Sequence, residues 1–180
     1  MYQYTQNEIV LKKAQDFGDR LLKAFDSPTG LPYYYVNLKT GETRGNIVNL
    51  AEAGSYAFEF GILSYYTKDP KYYQTAKNGI LKLNELKSSI GLLGRDIDVN
   101  TGYWTQDQSM VGAYADSYYE YLFKSWLLFG DQDLKEVWDE NISAAKKYLA
   151  DDQGDLLWFC KSDMNTGTQV DYTITLWDAY

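Results

Sequence analysis

Three similar short segments, which recur at nearly equal intervals, constrain the fold of this chain more than any other feature. Residues 36–41, 99–102 and 164–167 read Val-Asn-Leu-Lys-Thr-Gly, Val-Asn-Thr-Gly and Met-Asn-Thr-Gly. A second set of glycines recurs in step with these segments: Gly30, Gly91 and Gly154. A nearly fixed spacing indicates one supersecondary unit used several times. Equivalent positions in successive units should therefore face the same way.

The spacing of apolar residues predicts that each unit consists of two helices followed by a β-hairpin. The predicted helices cover residues 7–25, 49–68, 71–86, 109–129 and 131 or 133–149, with a further helix beginning in 171–180. The predicted hairpins cover residues 30–45, 91–104 and 155–170. Repeated helix pairs pack side by side as an open solenoid or close into an α/α toroid. Both ends fall in mid-pattern, so we expect residues 1–180 to be a piece of a longer protein.

Composition excludes several classes of chemistry. The chain has no histidine and one cysteine, Cys160, so a Ser-His-Asp or Cys-His nucleophile and an imidazole metal site cannot be built from it. The net charge is −8 without a dense Lys/Arg run, which argues against nucleic acid as a partner. No stretch approaches the ~18 apolar residues of a membrane span. The remaining chemistry must use carboxylates or a hard cation held by oxygens, and we expect Cys160 to be a buried, inert thiol.

An acidic residue lies near the start of the helix that follows each hairpin. Glu52, Asp116 and Asp178 follow the closing glycines of the three recurring segments at similar distances along the chain. In a toroid these helix starts would line one end of the central cavity, where paired carboxylates could cleave a glycosidic bond. An alternative explanation is that acids favour the first helical turn because the helix dipole stabilises them.

Asp116 and Glu120 are four positions apart and so are predicted to share one helix face, together with Tyr119 and Phe123. Unpaired carboxylates are costly in a core, which favours a cleft, although a solvated outer face is the alternative. Aromatic residues make up 17% of the chain, with 18 Tyr and 5 Trp. Such side chains suit both packing and sugar-facing clefts, because each has an apolar ring and a polar tip.

Residues 96–102 have the spacing of a calcium loop, with acidic or amide side chains at Asp96, Asp98 and Asn100. An EF-hand requires Gly at its sixth position and Glu at its twelfth. Those positions hold Thr101 and Asp107. The segment is therefore predicted to be a hairpin turn, which Asn-Thr-Gly favours.

Residues 116–124, Asp-Ser-Tyr-Tyr-Glu-Tyr-Leu-Phe-Lys, closely resemble the Asp-Ser-Tyr/Phe-Tyr-Glu-Tyr-Leu-Leu-Lys signature of class I α-1,2-mannosidases, glycoside hydrolase family 47. Further blocks that are similar to the family follow in the same order along the chain: 18–25, 29–33, 36–38, 51–55, 59–60, 63–64 and 67–72. Residues 91–94 and 97–104 resemble the branch that trims misfolded glycoproteins in the endoplasmic reticulum. The similarity covers essentially the whole chain.

The resemblance implies a partial (α/α)7 barrel, all-α with short β-hairpins, from an inverting, calcium-dependent enzyme that removes terminal α-1,2-linked mannose from high-mannose N-glycans. Asp116 matches a catalytic carboxylate that handles a proton, and Glu52 matches a carboxylate that contacts the substrate beside the cleaved sugar. Glu120, Tyr34 and Tyr114 are further candidate substrate-binding residues. Tyr114 stands where the strict mannosidase branch has Arg, and Tyr34 stands where some members have a small polar contact.

The resemblance also implies that other parts of the machinery lie outside residues 1–180. Two further catalytic acids and the calcium-binding threonine would flank this segment of one barrel domain, so no metal ligand is expected within it. Family members work in the secretory pathway or outside cells. A second interpretation is a glycoprotein quality-control factor that binds mannose-trimmed chains with little catalysis. A different α/α-barrel sugar enzyme is a third.

We expect the isolated chain to have no mannosidase activity, because one catalytic carboxylate cannot supply both an acid and a base. The test is to incubate the purified chain with a high-mannose glycan and to measure free mannose. Release of mannose above the level of a buffer control would contradict this expectation.

Overall fold

The computed structural model describes residues 1–152 and 154–178. Within these ranges, groups of two or three helices alternate with groups of short antiparallel strands, and 3-10 turns cover Leu22–Phe25 and Leu176–Asp178. The helices are α1 (Tyr2–Thr5), α2 (Glu8–Leu21), α3 (Leu50–Gly54), α4 (Ala57–Thr67), α5 (Lys71–Glu85), α6 (Asp116–Phe129) and α7 (Gln132–Tyr148). The strands are β1 (Tyr35–Val36), β2 (Thr43–Arg44), β3 (Ile47–Asn49), β4 (Asp96–Asp98), β5 (Trp104–Gln106), β6 (Gln108–Ser109), β7 (Ala150–Asp152), β8 (Leu157–Phe159), β9 (Lys161–Asp163) and β10 (Gln169–Asp171).

The recurring glycines occupy equivalent turns in successive units. Gly41, Gly102 and Gly167 have φ of +77°, +76° and +72°, a region that other residues rarely adopt. Their amides donate to the carbonyl four positions back at 2.7, 2.7 and 2.8 Å. The same backbone turn is therefore built three times, as the repeated segments predict.

Strand pairing joins each unit to the next. β3, which directly precedes α3, pairs antiparallel with β4 of the following hairpin, so that Val48 lies opposite Ile97. In the next unit β6, which precedes α6, pairs antiparallel with β9. The sheet orders are β3-β4-β5 and β10-β9-β6, while β1-β2 and β7-β8 are two-stranded. The start of each of these helices is therefore anchored to the neighbouring hairpin.

The core lies between the helices and under the hairpins. α4 packs on α5, α6 packs on α7, and α3 packs against α6. Tyr72 and Tyr118 are fully buried, and their hydroxyls donate to Asp19 and Asn141 at 2.7 and 2.8 Å. Cys160 is buried, as predicted, and its thiol donates to the carbonyl of Leu149. None of the helices in residues 1–152 and 154–178 is long and apolar enough to cross a membrane.

The predicted helix 49–68 is interrupted at residues 55–56, giving α3 and α4. A Cβ atom on Gly54 would lie 2.3 Å from the ring of Tyr118, so α6 approaches the α3 backbone very closely there. The Ser55 and Ser117 hydroxyls hydrogen-bond across the same contact at 2.8 Å. The break is thus tied to a tertiary contact between segments that are distant in the sequence.

Three other sequence-based boundaries are also wrong. The predicted helix 109–129 begins only at Asp116, because Ser109 belongs to β6 and pairs with Ser162. The third predicted hairpin, 155–170, is divided between the pairs β7-β8 and β9-β10. Residues 171–178 are not an α-helix: Asp171 ends β10 and binds the Lys161 ammonium at 2.6 Å, and residues 179–180 lie outside the described part.

A partly buried cluster of charged and phenolic side chains joins α5 to the start of α7. Asp131 caps α7 by accepting from the amides of Asp133 and Leu134, and it also binds the Lys77 ammonium and the Tyr73 hydroxyl, each at 2.8 Å. Burial raises the pKa of Asp131, but the bonds from Lys77 and Tyr73 lower it more, and the net pKa lies below the usual value. The side chains of Lys77 and Asp131 are only 17% and 10% exposed, so this pair is far less screened than a surface ion pair.

We expect Asp131→Asn to lower the free energy of unfolding by about 2–3 kcal/mol, because it keeps a capping group but leaves Lys77 without its buried counter-ion. The matched control is Asp133→Asn. Asp133 also binds Lys77, but its side chain is 62% exposed, so a loss below about 1 kcal/mol is expected. Urea denaturation measures both values.

The contribution of this cluster to the free energy of unfolding should decrease at low pH. A carboxyl whose pKa is lowered on folding contributes stability above its unfolded pKa of about 4, and this contribution is lost as the pH falls through the folded pKa. The difference in unfolding free energy between the wild type and Asp131→Asn should therefore shrink below about pH 4. An equal difference at pH 7 and pH 3 would contradict this assignment.

Candidate functional site

The loop before α6 places Asp116 at the first position of that helix. The amides of Ala115 and Asp116 both donate to the carbonyl of Gly112, at 2.9 and 2.8 Å, which forms a tight turn directly before α6. The Asp116 side chain is half-buried, and its Oδ1 accepts from the amide of Ser117 at 2.7 Å. The carboxylate is therefore held at the N-terminal end of α6, where the helix dipole favours negative charge.

Glu52 lies at the equivalent place in the preceding unit. Its Oε2 accepts from the amide of Asn49 at 3.0 Å, while Asn49 Oδ1 accepts from the amide of Glu52 at 2.8 Å, so the two residues form a capping box at the start of α3. The first two amides of this helix bind the neighbouring loops: Leu50 N donates to Arg95 O at 2.9 Å and Ala51 N to Tyr114 O at 2.8 Å. The starts of α3 and α6 are thus directly linked.

Tyr34, from the first hairpin, lies within electrostatic range of the Glu52 carboxylate. The residue is 47% exposed, and its ring meets the Tyr35 ring edge-on with centroids 4.4 Å apart. The negative charge of Glu52 is the largest of several influences that raise the pKa of the Tyr34 phenol. Two of the predicted substrate-binding residues, which come from different elements, are therefore close enough to interact electrostatically.

Tyr114 lies two positions before Asp116 in a backbone conformation that is rare for a bulky residue. Its φ is +74°, which costs about 1–3 kcal/mol unless the surroundings impose it. The hydrogen bond from Ala51 N to its carbonyl and the Arg95 guanidinium, 5.0 Å from the ring centroid, hold it there. Tyr114 as a whole is nevertheless 52% exposed.

Asp178 reaches the same loop from the last described turn. Its Oδ2 accepts from the amide and hydroxyl of Thr175 at 2.7 and 2.6 Å. A Cβ atom on Gly112 would lie 1.9 Å from Asp178 Oδ1, so the carboxylate lies directly against that glycine. All three acids that follow the hairpins therefore lie in or beside residues 112–116: Asp116 belongs to this segment, and Asp178 lies against Gly112. Glu52 is one residue from Ala51, whose amide binds the carbonyl of Tyr114.

Glu120 has a different environment from Asp116. It is exposed on α6 and forms an ion pair with Lys124, one turn further along the helix. Of the aromatic residues predicted to share its face, Tyr119 is buried against Tyr118, and Phe123 packs on Trp126 and Trp138. A role for Glu120 in binding substrate stays a prediction.

No group of three or more Asp, Glu or Cys side chains that could hold a metal ion occurs in the described ranges. The calcium-like segment is a turn, as predicted. Asp98 Oδ1 accepts from the amide of Asn100 at 2.8 Å, its Oδ2 accepts from the Asn46 side chain at 2.9 Å, and Asp96 is paired with Arg95. These carboxylates do not converge, so the described residues do not fit a calcium ion.

Sequence reasoning missed Arg95 and Gly112. Neither has a local signal, because their importance comes from contacts with residues distant in sequence: Arg95 with Tyr114, and Gly112 with Asp178. A glycine at position 112 is explained only once the position of the Asp178 carboxylate is known.

The chain belongs to glycosyl hydrolase family 47, because the model of that family matches residues 1–177. Several relatives carry α-mannosidase names. The chain is 35% identical to "Alpha-mannosidase I MNS5" of Arabidopsis thaliana over 182 residues, covering 100% of this chain and 31% of that protein. It is 37% identical to the human "ER degradation-enhancing alpha-mannosidase-like protein 2", covering 88% of this chain and 27% of that protein.

Solved structures agree with the family. An α-1,2-mannosidase from Trichoderma reesei matches with a TM-score of 0.75 at 27% identity, over 87% of this chain and 34% of that chain. A D-mannose isomerase matches with a TM-score of 0.63 at 14% identity, over 89% of this chain and 40% of that chain, which shows the fold alone.

The predicted fold class, all-α with short hairpins and part of an (α/α)7 barrel, is confirmed. The chain spans about a third or less of the length of the relatives named.

Replacing Glu52 by Gln should lower the pKa of Tyr34 toward its ordinary value, because the neighbouring negative charge is removed while an acceptor for the Asn49 amide remains. The measurement is a pH titration of the Tyr34 side chain by NMR with ¹³C-labelled tyrosine.

The control variant for this titration is Glu59→Gln. Burial first, and then the hydrogen bond to Glu59, raise the pKa of Tyr121 to about 12. Glu59→Gln should therefore lower the pKa of Tyr121 and leave Tyr34 unchanged. A Tyr34 titration that is identical in the wild type and in Glu52→Gln would contradict the proximity of Tyr34 and Glu52.

Proposed function

We propose that this chain forms part of the single (α/α)-barrel catalytic domain of an inverting α-1,2-mannosidase that removes terminal mannose from high-mannose N-glycans. The observation that carries the proposal is the half-buried Asp116 carboxylate at the start of α6, joined to the start of α3 and Glu52 by the hydrogen bond from Ala51 N to Tyr114 O. Family membership supports the reaction class. Relatives that bear mannosidase names support the substrate class.

Asp116 has the chemistry and the surroundings that one member of an acid/base pair requires. Inverting glycosidases use two carboxyl groups about 6.5–9.5 Å apart, one to protonate the leaving oxygen and one to activate water on the opposite face of the sugar. Asp116 would transfer one of these protons, and a second carboxylate would complete the pair. Glu52 would hold the sugar beside the cleaved bond by accepting hydrogen bonds from its hydroxyls, because its Oε2 receives only one amide bond within the described residues.

Exposed aromatic rings at the same end of the molecule support a sugar as the ligand. Tyr34 and Tyr114, which are 47% and 52% exposed as whole residues, lie near Glu52 and Asp116 respectively. A tyrosine ring can pack on the apolar face of a sugar while its hydroxyl remains hydrated. These two residues would therefore line the approach to the carboxylates.

Calcium dependence and a location in the secretory pathway belong to the proposal through the family resemblance. Calcium in such an enzyme would supply a site for sugar hydroxyls. The described residues do not form a site for the ion, so the roles assigned to Asp116 and Glu52 do not involve calcium.

A second candidate function is glycan recognition with little catalysis, in glycoprotein quality control. Relatives named ER degradation-enhancing alpha-mannosidase-like proteins favour it, at 37–38% identity over 78–88% of this chain. Tyr114 also favours it, because the resemblance places an arginine at this position in the strict mannosidase branch.

Asp116→Asn in the full-length natural protein that contains this chain should lower kcat on a high-mannose glycan by at least about a hundredfold, because general acid–base catalysis contributes 10²–10⁴-fold. Glycan affinity and the far-UV circular dichroism spectrum should remain close to those of the wild type. Free mannose and trimmed glycan are quantified over time.

The matched control is Asp133→Asn, which removes an exposed acid at the far end of the helix pair and should leave kcat unchanged. An unaltered rate in Asp116→Asn would remove Asp116 from the mechanism. A wild-type protein that binds the glycan but releases no mannose would favour the recognition function over the enzyme.

A further inference from the structure

Asn141, Ile142 and Ser143 form the one Asn-X-Ser/Thr tripeptide of this sequence. When X is not proline, this tripeptide is the acceptor pattern for N-linked glycans and is typical of exposed loops in secreted proteins. Here it lies in the interior of α7, which runs from Gln132 to Tyr148. Asn141 is only 1% exposed. The acceptor pattern is therefore present, but the folded protein hides its asparagine.

Both ends of the Asn141 amide are bonded in the core. Its Oδ1 accepts from the Tyr118 hydroxyl on α6 at 2.8 Å, and its Nδ2 donates to Asn84 Oδ1 on α5 at 2.8 Å. The helices α5, α6 and α7 thus each supply one member of this chain of hydrogen bonds. A buried polar group is costly to leave without its partners. The amide of Asn141 therefore contributes to holding the three helices together.

The surroundings of Asn141 are closed from the side of α5 as well. Asn84 Nδ2 donates in turn to Glu140 Oε2 on α7 at 3.2 Å. Ala144 lies one turn after Asn141 and so shares its helix face. Gly91, in the loop that follows α5, approaches this face closely, because a Cβ atom on Gly91 would lie 3.1 Å from Ala144 Cβ. A sugar attached to Nδ2 has no space while α7 is packed in this way.

The two functional side chains of the tripeptide also face in different directions. Residues two positions apart on a helix do not share a face. Ser143 is exposed, and its hydroxyl donates to the carbonyl of Asp139, one turn back along α7, rather than to Asn141. The folded protein consequently does not present the asparagine amide and the serine hydroxyl as one site.

Glycan transfer requires the very atom that the fold buries. The donor is a lipid-linked oligosaccharide pyrophosphate, in which the bond from the anomeric carbon to the phosphate oxygen breaks. A bond from that carbon to Asn141 Nδ2 forms, the amide gives up one of its two protons to a base of the transferase, and the lipid pyrophosphate leaves with the electrons of the broken bond. Because Asn141 is 1% exposed, the new sugar is accommodated only if α7 separates from α5 and α6.

We propose that Asn141 is an acceptor for an N-linked glycan only before α7 docks on α5 and α6, so that glycosylation of this residue and folding exclude each other. The inference goes beyond the proposed mannosidase function and involves none of its candidate catalytic residues. It has a consequence for the proposed secretory location. In a compartment that contains the transferase, the yield of folded protein depends on whether α7 docks before transfer occurs.

The first test compares a synthetic peptide of residues 136–148 with the folded full-length natural protein that contains this chain. Each is incubated with microsomal oligosaccharyltransferase and a lipid-linked oligosaccharide, and the occupancy of Asn141 is measured over time by mass spectrometry. The folded protein should be modified at least about a hundredfold more slowly than the peptide, because the reaction requires a rarely populated open state. An unmodified peptide, or equal rates, would overturn the inference.

The second test follows the full-length protein as it is synthesised into microsomes. Ser143→Ala removes the acceptor pattern but keeps the hydrogen bonds of Asn141, so modification of Asn141 should be lost and the yield of protease-resistant protein should equal or exceed that of the wild type. Its Tm should not fall, because Ser143 is exposed and alanine is the best helix former. The matched control is Ser89→Ala, at an exposed serine in the same cleft as Ser143, which should change neither modification nor yield.

Wild-type chains in the microsomes should fall into two populations: unmodified chains that resist protease, and chains with a glycan at Asn141 that do not. If the peptide is accepted and all wild-type chains are unmodified and resistant, α7 docks before transfer and the inference stands. A glycan on Asn141 of protease-resistant protein would overturn it. None of these measurements uses mannosidase activity, so failure of the proposed function and failure of this inference are distinguishable.

Discussion

The pairing of strands between successive units is the interaction on which the rest of the structure depends. β3 binds β4 and β6 binds β9, and each of the strands β3 and β6 leads into a helix that carries an acid near its start. A shift by one residue would turn every strand side chain to the opposite face. Register in these short sheets therefore determines where Glu52 and Asp116 lie, and the helix pairs supply the core that keeps the sheets in place.

Stability and candidate chemistry occupy opposite ends of α6. Asp116 begins the helix, whereas the partly buried cluster of Asp131, Lys77 and Tyr73 lies just beyond its end. A 14-residue helix is about 21 Å long, so the two groups are well separated. The arrangement allows the charged cluster to stabilise the helix pair while the acids, strained loop and exposed rings at the other end remain available to a ligand.

Sequence spacing located some residues of the candidate site correctly and others poorly. The positions of Glu52, Asp116 and Asp178 after each hairpin could be read from spacing, and the structure connects all three to the loop before α6. The spacing of Asp116 and Glu120 predicted a shared helix face but not their different environments. Asp116 is half-buried at the start of α6, whereas Glu120 is exposed beside Lys124. The break in the predicted helix 49–68 was missed because it depends on the contact of Gly54 with Tyr118.

The sequence by itself determined the repeated unit, the helix pairs, the glycine turns and the family, because apolar periodicity, left-handed glycines and motif order are properties of short stretches of chain. Only the tertiary structure decided that Arg95 supports Tyr114 and that Asp178 lies against Gly112. The two partners in each contact are far apart along the chain. The first amides of α3 bind the carbonyls of both Arg95 and Tyr114, and the pairing of β6 with β9 joins the segment before Gly112 to the segment that leads to Asp178. No local pattern in the sequence records which distant side chains will then be in contact.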